Sequence, residues 1–117
     1  MPKYIAIAHK LLAEVASAHA DFSKAEAELN TALAQLEMHP APLLAWKIYA
    51  ALGRLRLQLG EARSASEAFS HSAAIIGKIE AEISDDRLRR IFMNSEVVRE
   101  VLQEARKAYS VSTPKNI

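Results

Sequence analysis

No cysteine occurs among the 117 residues. That removes disulfides, thiolate nucleophiles and thiolate metal ligands from consideration, and it fits a cytoplasmic location. Aromatic residues make up only 6% of the chain, and few β-branched runs compete with helix formers, so a sheet is not expected. Charge of one sign is also lacking: the net charge is +1. Such a balance predicts neither nucleic acid nor an anionic membrane surface as a partner. Long apolar runs are missing, and no stretch approaches the roughly eighteen residues a membrane span requires. The apolar stretch 4–8 is interrupted by His9 and Lys10, too early for a signal-peptide core. With three glycines and four prolines, chain breakers are few, and their positions carry information.

What is present is an apolar half dominated by alanine, the best helix former. The chain also echoes itself at an offset of forty positions. Leu12 aligns with Leu52, Ala13 with Gly53, Ala20 with Gly60, Ala25 with Ala65, Leu29 with Phe69 and Ala32 with Ser72. A fixed period of this size marks stacked supersecondary units.

Six helices follow from periodicity and punctuation. The first starts near Pro2 and carries Tyr4, Ile5, Ala8, Leu12, Val15 and Ala16 on one stripe to about residue 19. Ser23 is expected to open the second, with Glu26 completing a capping box; Ala25, Leu29, Ala32, Leu33 and Leu36 form its apolar face. Pro40 and Pro42 end it. The third helix spans about 42–59 and stops at Gly60, and the fourth spans about 63–83. Ser84, Asp85 and Asp86 open a short fifth helix, where acids suit the positive end of the dipole. Asn94 and Ser95 break it. A sixth, about 96–108, places Val98, Val101, Leu102, Ala105 and Tyr109 on one face.

The residues Tyr49-Ala50-Ala51-Leu52-Gly53, Gly60, Ala65, Phe69 and Ser72 resemble a tetratricopeptide repeat. Leu12, Ala13, Ala25, Leu29 and Ala32 occupy the equivalent slots of a first unit, with Ala20 in the turn. The period here is forty instead of the family's thirty-four, and Arg56 stands where that family usually has tyrosine. Residues 83–105 are also similar to the closing helices of repeat arrays in large bacterial signalling ATPases and regulators. The resemblance implies an all-α fold: two tetratricopeptide-like helical hairpins and a capping helix pair, a short α-solenoid. The expected organisation is one domain over 1–109, with repeats at 4–38 and 43–83, a cap at 84–109 and a disordered tail at 110–117.

Chemistry-bearing patterns are weak. His9, His19, His39 and His71 lack the three- or four-residue spacing of a helical metal site. Glu26 and Glu28, or Glu80 and Glu82, point to different faces. No Ser-His-Asp arrangement, Gly-rich phosphate loop or HExxH is present. Arg54, Arg56, Arg87, Arg89 and Arg90 read as solvated helix faces, lacking an interleaved aromatic stripe. No catalytic residue, metal or cofactor is expected.

By the resemblance, the first helix of each unit lines a groove. Its outward positions are Ile7, Lys10, Glu14 and Ser17, then Lys47, Ala50, Arg54 and Gln58. Lys10, Glu14, Lys47, Arg54 and Gln58 are the candidate peptide-binding residues, and Lys10, Lys47 and Arg54 favour an acidic partner. Lys10 falls where carboxylate-clamp members carry lysine, but Glu14 replaces their asparagine. The expected function is a non-catalytic protein–protein interaction module, a scaffold or adaptor. The alternative is a C-terminal regulatory segment of a larger signalling ATPase, cyclase or transcription regulator. Tyr4, Ile5, Ala8, Leu11, Leu12 and Val15 make a stripe broader than one partner helix covers. Tyr4, Ile5, Ala8 and Leu12 are therefore expected at an interface, in a homodimer or against earlier repeats of a longer array.

Overall fold

The structure, a computed structural model, describes the backbone of residues 2–112 and the side chains of residues 4–107. Those residues form six α-helices and no strand: α1 Pro2–Ala18, α2 Phe22–Met38, α3 Pro42–Gln58, α4 Ala62–Glu82, α5 Asp86–Met93 and α6 Glu96–Ser112. Helix α2 packs back along α1, α4 packs along α3, α3 lies against α2, and α6 lies against α4. The tail expected from residue 110 is helical as far as Ser112, and residues 113–117 fall outside the described part.

The forty-residue echo appears in the backbone as two copies of one turn. After α1, the Ala20 amide donates to the Ser17 carbonyl (2.9 Å) and the Asp21 amide to the Ala16 carbonyl (2.8 Å). After α3, the Gly60 amide donates to Leu57 (3.1 Å) and the Glu61 amide to Arg56 (2.8 Å). Both ends satisfy otherwise orphaned carbonyls by a Schellman arrangement. That arrangement needs a left-handed residue, and Gly60 (φ 77°) and Ala20 (φ 60°) supply it. Glycine takes this conformation freely, whereas alanine does so against its Cβ.

The start of α2 and the inward face of α1 correct the sequence reading. Helix α2 begins at Phe22, and its cap is Asp21, whose side chain accepts from the Lys24 amide; the Ser23–Glu26 capping box is not formed. Asp21 wins because the Schellman turn has already placed it at the helix mouth. The inward face of α1 is likewise Ala6, Ala13 and Ala16, with Tyr4, Ile5, Ala8, Leu12 and Val15 exposed. Three alanines let α2 approach closely, meeting it with Ala25, Leu29 and Ala32.

Helix α3 is covered on two sides, which explains why apolar residues ring it. Ile48, Leu52 and Leu55 join Leu29, Ala32 and Leu36 in a first cluster. Trp46 and Ala50 join Ala65, Phe69, Ile76, Val98 and Val101 in a second. Ala50, expected to face outward into a groove, is fully buried here, because its position on the helix turns toward α4. Across the α3–α4 seam, the buried Ser72 Oγ donates to the Trp46 carbonyl at 2.7 Å. Gly53 is as small as the seam demands: a Cβ there would lie 2.8 Å from the Phe69 ring.

Helix α4 is four residues longer than α2, and the extension carries Ile79, on which α6 sets Val98 and Val101. Between them, Asp85 caps α5 by accepting from the Arg87 and Leu88 amides at 2.8 and 3.0 Å. Arg89 is not a solvated residue as expected: its Nε and Nη2 donate to the Ile83 carbonyl at 3.2 and 2.8 Å, closing the end of α4.

Candidate functional site

Two adjoining clefts follow the side of the molecule lined by α1 and α3. The first, about 510 Å³, lies between Glu14 and Ser17 of α1 and Ala51, Arg54 and Gln58 of α3. The second, about 610 Å³, runs from Lys10 across Trp46, Lys47 and Arg54 to Phe92 and Val97. Arg54 lines both. Helical spacing explains the convergence: Lys10, Glu14 and Ser17 share one face of α1, as Lys47, Arg54 and Gln58 share one face of α3. All five candidate residues, Lys10, Glu14, Lys47, Arg54 and Gln58, therefore line this pair of clefts.

The second cleft contains what the sequence reading passed over. Trp46, the only tryptophan, is buried in its floor and meets Phe92 edge-on, with ring centroids 6.1 Å apart and planes at 87°. This is the favourable arrangement for two aromatic quadrupoles. Leu43 and Val97 stand exposed at the rim. No periodic signal singles out a lone tryptophan, and Phe92 reaches it only because α5 folds back from the end of α4.

Charge at the rim is nearly balanced. Lys10 Nζ lies 2.7 Å from Glu14 Oε2, and Arg54 Nη1 lies 3.0 Å from Glu100 Oε1 of α6. Lys47 has no carboxylate within salt-bridge reach among the described residues, and its ammonium sits 5.9 Å from the centre of the Trp46 ring. Solvent-exposed ion pairs contribute at most about 1 kcal/mol. A carboxylate arriving from outside can therefore replace Glu14 or Glu100 at little cost.

Several other polar residues bridge helices. His9 Nδ1 pairs with Glu28 Oε1, tying α1 to α2, and His71 stacks on Tyr49 with ring centroids 4.9 Å apart. Arg56 donates to the Ser64 carbonyl at 3.2 Å and to Glu26 Oε2 at 3.4 Å, binding α2, α3 and α4 together. His39 caps the end of α2. No cluster of three or more metal-ligating side chains occurs among the described residues, and no helix of those residues is long and apolar enough to cross a membrane.

No protein-family model, curated protein or solved structure matches the chain.

Proposed function

We propose that the protein is a non-catalytic interaction module, a tetratricopeptide-like pair of helical hairpins with a capping helix pair, that holds a peptide segment along the α1–α3 clefts. The single observation that carries the reading is convergence. Five residues chosen from two units forty positions apart line two clefts that share Arg54. The duplicated Schellman turns support the repeat, and the buried Trp46 beside exposed Leu43 and Val97 supports an apolar anchor site. Apolar pockets with a few convergent polar groups are the usual form of binding sites.

The ligand that fits is a short segment with an apolar side chain for the Trp46–Phe92 floor and a carboxylate for Lys47 or Arg54. Trp46 reports on binding, since no other tryptophan contributes to the fluorescence. Pools of acidic and basic peptides, each containing leucine or phenylalanine, are titrated at low and moderate salt. The acidic pool is expected to bind more tightly, and Lys47→Glu or Arg54→Glu to weaken it about tenfold, equivalent to about 1.4 kcal/mol. Equal binding of both pools, unaffected by either charge reversal, would sink the reading.

A further inference from the structure

The outer face of α1 is apolar and exposed: Ile5, Leu11, Leu12 and Val15 are 42, 55, 46 and 55% accessible, with Ala8 between them. Forty positions on, the same places are Ala45, Ala51, Leu52 and Leu55, with Ile48 for Ala8. There they are covered. Ile48, Leu52 and Leu55 are buried and Ala45 and Ala51 partly so, packed in one cluster with Leu29, Ala32 and Leu36 of α2. The exposed face of α1 is thus, place for place, the face by which α3 seats itself on α2.

We propose that the outer face of α1 docks a further helix pair of this same repeat, one whose second helix presents a stripe like Leu29-Ala32-Leu36. Continuity of the α2–α3 interface, repeated one period earlier, identifies the occupant. The chemistry agrees, since none of the five residues is charged and the stripe they would meet is alanine and leucine. Helix starts agree too: Pro2 opens α1 as Pro42 opens α3, so a unit joined ahead of Pro2 keeps the period.

A second copy of the chain, docked head to tail, has no such stripe to offer. The stripe of α2 is buried under α3. Its counterpart on α4, Phe69, Ser72 and Ile76, is buried, with Val98 and Val101 of α6 packed in the same cluster as Phe69 and Ile76. Beyond that, α6 presents Arg99, Glu100, Gln103 and Arg106 to solvent, the polar outer face that closes a repeat stack. Among the described residues, then, the face that α6 turns to solvent is polar where that of α1 is apolar. This docking is independent of what the clefts bind.

The test extends the full chain with an added copy of residues 2–41 joined directly ahead of Pro2. The extended protein is expected to be monomeric, with slower amide exchange in the original α1 and a melting temperature raised by about 5 °C or more. Leu12→Asp in the original α1 should lower the extended protein's melting temperature by roughly 10 °C, as burial of an unpaired charge does, and leave the unextended chain unchanged. Equal effects of Leu12→Asp in both proteins, or no gain on extension, would overturn the proposal. So would light scattering that finds the unextended chain dimeric and the Leu12→Asp variant monomeric, which would assign the face to a second copy. If the extended chain does not fold, a peptide of residues 22–38 is titrated into the intact chain. Protection of α1 that Leu12→Asp abolishes upholds the proposal, and its absence overturns it.

Discussion

Replacing Gly53 with alanine sets a methyl carbon 2.8 Å from Cε2 and Cζ of Phe69 and 2.9 Å from Cδ2. Phe69 is 1% exposed, and its ring is enclosed by the second cluster, so it cannot swing clear. Overpacking of this kind costs about 1–3 kcal/mol. Alanine in a helix interior recovers about 0.8–1 kcal/mol of that. The net expectation is a loss of about 1 kcal/mol, or a melting temperature roughly 4–8 °C lower. Gly77 provides the control. It is exposed inside α4 with nothing within 4 Å of an added Cβ, so Gly77→Ala should stabilise by about 0.5–1 kcal/mol. Thermal melts and urea titrations of the two variants, read by circular dichroism, give the comparison. If Gly53→Ala stabilises as much as Gly77→Ala, the close seating of α3 on Phe69 is wrong.

The two Schellman turns make a second matched pair. Gly60→Ala should destabilise by about 1 kcal/mol because φ is 77°, while Ala20→Gly should relieve strain and leave stability unchanged or slightly raised; opposite signs in denaturant melts would refute the shared geometry. Phe69→Ala should lose about 3–5 kcal/mol by opening a cavity between α3, α4 and α6, and an unchanged urea midpoint would place Phe69 at the surface. Ser72→Ala should cost about 1 kcal/mol through the lost bond to the Trp46 carbonyl, with the indole environment altered in near-ultraviolet dichroism.

Much of the helix layout was legible because periodicity and breakers agree. Pro42 and Gly60 bracket α3, and Asn94 and Ser95 separate α5 from α6, as their chemistry dictates. The inward face of α1 was legible only in part: Ala16 lay on the expected stripe and Ala13 in the repeat register, and both are buried. Hydrophobic patterning weights Tyr4, Ile5 and Leu12 above Ala6, Ala13 and Ala16, yet close helix approach selects the small residues. The width of the large-residue stripe nevertheless pointed to surface left uncovered, and those side chains are exposed. For the clefts, the repeat register located Lys10, Glu14, Lys47, Arg54 and Gln58. It could not locate Phe92, Val97 or Glu100, which reach the second cleft or its rim through the chain reversal at α5, a feature with no counterpart in the repeat. Arg89 escaped for a similar reason: a side chain that caps its neighbour's carbonyl depends on where the connection turns.

The central claim, that the α1–α3 clefts are the binding surface, is tested most directly by mapping a bound ligand residue by residue. The tightest peptide from the acidic pool is titrated into the intact, isotope-labelled protein, and amide and indole resonances are followed. Perturbations are expected to concentrate at Lys10, Glu14, Lys47, Arg54 and Gln58 and at the Trp46 indole. Perturbations confined to the outer face of α1, or to the Tyr49–His71 side, would contradict the account.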